Sequence, residues 1–223
     1  MKSKILVPLL LLLFAAPAAA CTTFLFDGPE GPVFGRNYDW SVEDGFLVTN
    51  KRGTARFSMR SDNPATWVSR YGSVTFNQYG RGMPMGGMNE AGLVVECMWL
   101  RGTAYPEPDE RPALGELGWV QYQLDNAATV AEVVANDSLV RIDGANSSPL
   151  HFLVSDRAGG CATFEFLEGR TVVRRGADLP YRALANSAYD ASVAHLEESA
   201  EGGDTDEVAG APVSYTHLTL PTN

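Results

Sequence analysis

The sequence predicts an α+β fold in which antiparallel sheets are covered by helices. Three observations indicate this fold. β-prone segments come first, two helical segments occupy the middle of the chain, and further strands and one helix follow. Elements segregated in this order pack as sheets with helices outside, because each sheet must bury its apolar face. A helix, sheet, sheet, helix stack fits, and 223 residues, 45% of them hydrophobic, suffice for one domain with a substantial core.

The first part of the chain predicts two hairpins. Residues 22–26 and 32–36 are extended runs rich in β-branched and aromatic side chains, separated by a turn cluster. Residues 46–50 and 54–59 flank the turn-forming residues 51–53, which predicts a second hairpin.

The next part of the chain alternates strand and turn signals. Residues 73–79 are β-prone, and the glycine-rich residues 86–92 predict a turn. Residues 93–99 form a near-continuous apolar run, typical of a strand covered on both faces. Three prolines over 106–112 predict a loop.

Two helices are predicted over residues 114–124 and 129–135. Thr129 is the expected N-cap of the second helix, and Glu132, three residues on, completes a capping box. Three strands and a last helix are expected after them, over residues 150–155, 162–167, 171–174 and 191–198.

The charge of the chain excludes several classes of function. The formal net charge is -10, and no basic cluster is present, so nucleic acid and anionic membranes are not expected partners. No metal-ligand spacing, phosphate loop or dinucleotide fingerprint occurs, so neither a metal nor a cofactor is expected.

The N-terminus has the pattern of a secretory leader. Lys2 and Lys4 precede an apolar run over residues 5–16, and three alanines at 18–20 form a small-residue cleavage site. The run is shorter than the roughly 20 residues of a membrane span. We therefore expect a leader over 1–20 and a periplasmic or secreted mature protein without a stable membrane span, which begins at Cys21.

A cysteine at the first position combines a nucleophile and a base in one residue. Its thiol and its free α-amine have reference pKa values of about 8.5 and about 8, so the amine can take the thiol proton near neutral pH. The alternative is a non-catalytic, lipid-anchored envelope protein with Cys21 acylated. Lipoprotein sites usually carry Leu, Val or Ile three residues earlier, where this chain has Ala18.

Cys97 and Cys161 lie in apolar strand-like runs, which favours a pair of buried free thiols; a disulfide between them is the alternative in an oxidising compartment.

His151 also lies in an apolar run and is interpreted as a packed strand residue. A third hypothesis makes His151 the partner of Cys21 in a Cys–His hydrolase.

Four short motifs occur in order along the chain and together resemble a known family. They are CTT at 21–23, FGRNYDW at 34–40, GMNEAGL at 87–93 and LANS at 184–187. They are similar to the choloylglycine hydrolase and penicillin V acylase family, linear-amide hydrolases of the N-terminal-nucleophile class. The resemblance runs to about residue 196. It implies a four-layer αββα sandwich and hydrolysis of bile-salt, penicillin V or N-acyl homoserine lactone amides through a thioester.

The resemblance also implies catalytic roles. Cys21 is the expected nucleophile, with its own α-amine as base. Arg36 is expected to favour the thiolate, and Asp39 to hold the amine. Asn186 resembles the asparagine of the oxyanion hole, where its side-chain N–H would face the charge on the attacked oxygen. Asn89, in the third motif, is interpreted as a turn residue instead.

The expected substrate is a small-molecule amide with an apolar acyl group. Trp40, Trp99 and Met98 are predicted to line its pocket, and the Trp99 main-chain N–H to serve as a second oxyanion donor. The two tryptophans are more similar to the secreted Gram-negative branch of the family. Because the family often forms tetramers, a homo-oligomer is an expected assembly.

The last residues of the chain look foreign to the domain. Residues 213–222 can be encoded by a codon string that matches a sequencing-library adapter; the alternative is an ordinary β-prone terminus. On the first interpretation the amidohydrolase domain occupies 21–212, residues 213–223 are an artefact, and the sandwich is incomplete at its C-terminus. The family's further active-site arginine would then lie beyond the chain, and poor folding or little activity is expected.

Overall fold

The computed structural model describes residues 21–42, 44–60 and 62–201. The predicted leader, the tail over 213–223 and residues 202–206 of an acidic segment lie outside the described residues. The described residues form fourteen strands: β1 Thr22–Gly28, β2 Gly31–Asn37, β3 Phe46–Asn50, β4 Ala55–Phe57, β5 Thr66–Val68, β6 Ser73–Asn77, β7 Pro84–Asn89, β8 Val94–Trp99, β9 Ala113–Leu114, β10 Arg141–Ile142, β11 Leu150–Ser155, β12 Cys161–Leu167, β13 Arg170–Arg175 and β14 Ala183–Leu184. The helices are α1 Glu116–Asn126, α2 Val130–Asn136 and α3 Tyr189–Glu201.

Most of these strands form a large and a small sheet that pack face to face, and the pairs β9-β10 and β4-β5 form two-stranded sheets. The large sheet has seven antiparallel strands in the order β13-β12-β11-β8-β7-β6-β3, and the small sheet has the order β14-β1-β2. Helices α1 and α2 cover one face of the large sheet, and the small sheet covers part of the other. The predicted α+β sandwich is confirmed. None of the helices in the described ranges is long and apolar enough to cross a bilayer.

The main core lies between the large sheet and the two helices. Trp119 of α1 packs against Phe152 and Phe164, with ring centroids 4.5 Å and 5.5 Å apart. Val120 and Leu124 follow Trp119 on the same side of α1 and are fully buried, as an amphipathic helix requires.

The start of α2 confirms the predicted N-cap. The Thr129 hydroxyl accepts the Glu132 main-chain N–H over 3.2 Å. The Glu132 carboxylate returns to the N–H of Ala128 rather than to that of Thr129. Two N–H groups at the helix start are therefore satisfied, although the return bond is shifted by one residue from the usual capping box.

The predicted hairpin of residues 46–50 and 54–59 is wrong. β3 pairs with β6 at the edge of the large sheet, and β4 pairs with β5 in a separate two-stranded sheet. Gly53, at φ 73°, turns the chain, and its N–H donates to Ser69 just after β5. The turn was recognisable from the sequence, but the strand after it has a different partner.

The prediction of a turn over the glycine-rich residues 86–92 is also wrong for most of the segment, which belongs to strand β7. A Cβ on Gly86 would overlap the Glu96 carboxylate, and one on Gly87 would overlap the neighbouring strand. The glycines therefore allow close packing within a strand, and the turn is confined to its end, where Gly92 has φ 90°.

Asn89 closes this turn and is a structural residue, as predicted. Its Nδ2 donates to the main-chain oxygens of Leu124 and Ala127, and its Oδ1 accepts the N–H groups of Ala91 and Leu93. The side chain thereby ties the end of α1 to the β7–β8 connection.

Candidate active site

Cys21 lies at the start of β1, where three parts of the chain meet. The register of the small sheet places Thr22 opposite Asn37 and Thr23 opposite Leu184. Cys21 therefore comes next to the residues that follow β2 and to those that follow β14. The side chain is almost fully buried, with 5% of its surface exposed.

The main-chain nitrogen of Cys21 donates to Asn186 Oδ1 over 2.7 Å, although the two residues are 165 positions apart. Asn186 Nδ2 donates to the Trp99 carbonyl oxygen over 2.8 Å. The Asn186 carboxamide therefore connects the first strand to the end of β8. The sequence predicted an Asn186 near the nucleophile, but not that its oxygen would hold the Cys21 nitrogen.

The thiol of Cys21 contacts Asp39 through the main chain. Cys21 Sγ lies 3.6 Å from the Asp39 carbonyl oxygen. The structure thus places Asp39 beside Cys21, as the motif predicted. The expected bond from the Asp39 carboxylate to the α-amine stays a prediction.

Arg36 is buried close to this point and is held on several sides. Its guanidinium donates to the carbonyl oxygens of Met85 and Cys97, each over 3.0 Å, and forms an ion pair with Glu96. It also lies over the Tyr38 ring, 4.5 Å from the centroid. When Glu96 is ionised it compensates the charge of Arg36, and this compensation weakens the predicted effect of Arg36 on the thiol.

Glu96 is a site residue that the sequence analysis missed. Burial raises its pKa from 4.5 to about 7, although the adjacent Arg36 acts in the opposite direction. Gly86 makes room for the carboxylate, as described above. The available signal was one ionisable residue in the middle of the apolar run 93–99, since a buried carboxylate needs a partner.

All three cysteines are free and buried, so the disulfide alternative is not observed. Burial raises the pKa values of Cys97 and Cys161 to about 12, which keeps both as unreactive thiols at neutral pH. Neither is therefore a competing nucleophile.

The predicted pocket residues come together around Cys21. Trp40, Trp99 and Met98 line a cavity of about 50 Å³ beside it. The two indole rings are in contact, with centroids 5.5 Å apart. Trp40 Nε1 donates to the Tyr79 hydroxyl over 3.1 Å, which orients the ring.

A wider cleft of about 820 Å³ adjoins this cavity. Both are lined by Tyr38, Trp40 and Met85. The cleft continues over Phe46 and Phe76, whose side chains are 62% and 58% exposed. A surface with exposed aromatic side chains, bordered by polar residues that include Asp39 and Asp44, therefore extends outward from the thiol and is large enough for a small organic molecule.

His151 does not contact Cys21 in the way that a Cys–His hydrolase requires. Its Nδ1 lies 3.2 Å from Glu165 Oε1, and its Nε2 lies 2.7 Å from the Ala185 carbonyl oxygen. Both ring nitrogens are therefore engaged elsewhere, which agrees with the interpretation of a packed strand residue. Across the described ranges, no three His, Cys, Asp or Glu side chains are arranged to hold a metal ion.

Comparison with known proteins gives the family. Residues 21–199 match the family of linear amide C–N hydrolases described as the choloylglycine hydrolase family. The chain belongs to this family, as the four motifs predicted.

Three known proteins resemble this chain in sequence or in fold. A penicillin V acylase of Pectobacterium atrosepticum is 29% identical, across 79% of this chain and 52% of that protein. The structure of penicillin V acylase from Agrobacterium tumefaciens matches with a TM-score of 0.71 and 32% identity, over 81% of this chain and 57% of that one. A mutant conjugated bile acid hydrolase from Clostridium perfringens, 20% identical, shares the fold with a TM-score of 0.66, over 80% and 57%. The chain thus spans a little over half the length of these relatives.

Proposed function

We propose that this protein hydrolyses linear amides with Cys21 as the nucleophile. The observation that carries the proposal is the position of Cys21. Its nitrogen is held by Asn186 Oδ1, and its thiol lies at an apolar cavity lined by Trp40 and Trp99. Family membership supports the reaction class.

In the proposed reaction, cleavage after Ala20 frees the α-amine of Cys21. Cys21 Sγ attacks the acyl carbon while the amine takes the thiol proton. The C–N bond then breaks, the amine passes that proton to the leaving nitrogen, and a thioester remains. Water attacks the thioester, which releases the acid and restores the thiol.

Asn186 would serve both the amine and the oxyanion. A carboxamide nitrogen carries two hydrogens, and the bond to Trp99 uses one of them. The second hydrogen is the proposed donor to the developing oxyanion, an interaction typically worth about 3–4 kcal/mol of barrier. The Trp99 main-chain N–H is the proposed second donor.

The proposed substrate has an apolar acyl group. The cavity at the thiol, about 50 Å³, holds only the reacting carbonyl and its nearest atoms. The bulk of the acyl group would therefore lie in the wider cleft over Phe46 and Phe76. Penicillin V, conjugated bile salts and N-acyl homoserine lactones all contain a linear amide with an apolar acyl group. The two penicillin V acylases among the relatives make penicillin V the first substrate to test.

The test begins with the mature N-terminus, because the reaction needs a free amine. We expect the exported periplasmic or secreted protein to start at Cys21 with an unmodified mass; acyl groups on Cys21 would instead support the lipid-anchored alternative. Cys21→Ser should lower turnover at least about 100-fold, because the hydroxyl is a much weaker nucleophile. Cys161→Ser, at a buried thiol that does not line the pocket, is the matched control and should keep the turnover.

A second variant tests the base directly. One extra residue retained before Cys21 turns the amine into an amide, which is not a base. Turnover should then be lost while the fold is kept. Full activity with the extra residue would reject the α-amine as the base.

A further inference from the structure

Two ionisable side chains that the proposed reaction does not use lie buried behind the Cys21 pocket. His151 on β11 and Glu165 on β12 are both shielded from solvent. His151 engages Glu165 Oε1 with one ring nitrogen and the Ala185 carbonyl oxygen with the other. The Tyr189 main-chain N–H donates to the same Glu165 oxygen over 3.0 Å. The pair therefore holds the chain at both Ala185 and Tyr189.

The segment between these two points carries Asn186. Ala185 directly precedes it, and Tyr189 begins α3 three residues later. Asn186 Oδ1 in turn accepts the Cys21 N–H. We propose that His151 and Glu165 are positioning residues, a clamp that fixes the segment on both sides of Asn186 and so orients the Cys21 nitrogen. Its catalytic consequence rests on the proposed function.

The hydrogen bonds determine where the protons of the clamp lie. A carbonyl oxygen only accepts, so His151 Nε2 must carry the hydrogen it shares with Ala185. Toward Glu165, either an imidazolium donates to a carboxylate or a carboxyl donates to a neutral ring. Both arrangements contain the same protons and have zero net charge, which avoids a lone buried charge.

A clamp differs from a merely stabilising pair in what its loss does to the folded protein. Loss of a stabilising pair lowers the free energy of unfolding and nothing else. Loss of a clamp also frees Asn186 and changes the reactivity of Cys21. Thr163 offers the matched control: it is a buried residue of β12, two positions from Glu165, and its hydroxyl has no hydrogen-bond partner within the part of the chain that the structure describes.

The experiment compares three variants of the mature protein by the reactivity of Cys21. Iodoacetamide alkylation is followed from pH 6 to pH 9 by mass spectrometry of the peptide that contains Cys21. His151→Leu removes the donor to Ala185 and should slow alkylation at neutral pH by about tenfold, the effect of one lost hydrogen bond. His151→Gln keeps an amide donor and should restore most of the rate, and Thr163→Val should match the unmodified protein.

A folded His151→Leu variant with an unchanged rate and pH profile would overturn the proposal. A second measurement needs no folded variant of the clamp. In the ¹⁵N-histidine spectrum of the unmodified protein, we expect His151 Nε2 to carry a slowly exchanging hydrogen at neutral pH. A ring without a hydrogen on Nε2 would also reject the clamp.

These measurements separate the clamp from the proposed function, since neither uses a substrate. If no amide is hydrolysed but alkylation responds to His151→Leu, the clamp stands and the hydrolase proposal fails. If Cys21→Ser removes turnover but His151→Leu leaves alkylation unchanged, the reverse holds.

Discussion

The two faces of the seven-stranded sheet differ in chemistry although both are buried. Toward α1 and α2, strands β8, β11 and β12 present apolar side chains, among them Val95, Phe152 and Phe164. Toward the small sheet, the alternate positions of the same strands include ionisable residues. Because successive side chains of a strand point to opposite faces, one strand serves both faces.

The buried carboxylates and the histidine of the second face form two pairs. Glu96 pairs with Arg36, and His151 pairs with Glu165. The first pair lines the wider cleft, and the second contacts the chain on both sides of Asn186. The comparison indicates that one face supplies stability and the other supplies the chemistry, and that burial alone does not distinguish them.

The largest expected effect on stability is on the helix-facing side. Phe164→Ala should lower the free energy of unfolding by about 3–5 kcal/mol, because the cavity left against Trp119 cannot collapse fully. Urea denaturation gives the value. In the folded fraction, Cys21 should alkylate at the unmodified rate. A loss of unfolding free energy below about 1 kcal/mol, or a changed alkylation rate, would contradict the conclusion that one face supplies stability and the other supplies the chemistry.

The second-largest expected effect on stability comes from Glu96 on the opposite face and depends on pH. Burial raises the pKa of Glu96 from 4.5 in the unfolded chain to about 7 in the folded protein. The folded state therefore binds more protons between these values, and its stability falls as pH rises through them. Relative to Glu96→Gln, the unmodified protein should lose about 2–3 kcal/mol of unfolding free energy from about pH 5 to about pH 8.

Denaturation curves across that pH range measure the difference. Glu168→Gln, at a carboxylate that is 84% exposed, is the control and should show little change in slope. If the slope of Glu96→Gln equals that of the unmodified protein, Glu96 is ionised throughout the range and the pair with Arg36 is an ordinary ion pair.

The smallest expected effect on stability concerns the N-cap of helix α2, outside the sheets. Thr129→Ala removes the acceptor for the Glu132 N–H and should lower stability by about 1 kcal/mol, whereas Thr129→Ser should restore most of it. Thermal unfolding compares the two. Equal losses in both variants would show that the side-chain oxygen is not what stabilises the start of α2.

The sequence was informative wherever the signal was local. The first hairpin, the strand over 93–99 and the N-cap at Thr129 depend on neighbouring residues, and the structure has all three. The second hairpin was wrong because strand partners are chosen by distant backbone groups. The glycines of β7 predict a turn when only their neighbours in the chain are considered, because the Glu96 side chain that fills the space beside Gly86 belongs to another strand.

The candidate site divides in the same way. The order of the motifs predicted Cys21, Arg36, Asp39 and Asn186, and the structure brings all four to one place. Glu96 was missed, and neither interpretation of His151, as a packed strand residue or as the partner of Cys21, included its contact with Glu165. Their contacts depend on pairing between strands, and such pairing has no signature within any one strand.

By itself the sequence determined the kind of chemistry available to this protein. A thiol and an amine on one residue, an apolar composition and helix and strand periods are properties of neighbours in the chain. Only the tertiary structure decided which atoms meet. The register of the small sheet sets Asn186 Oδ1 on the Cys21 nitrogen, and the register of the large sheet sets His151 beneath Ala185, because sheet pairing joins residues that are far apart in sequence.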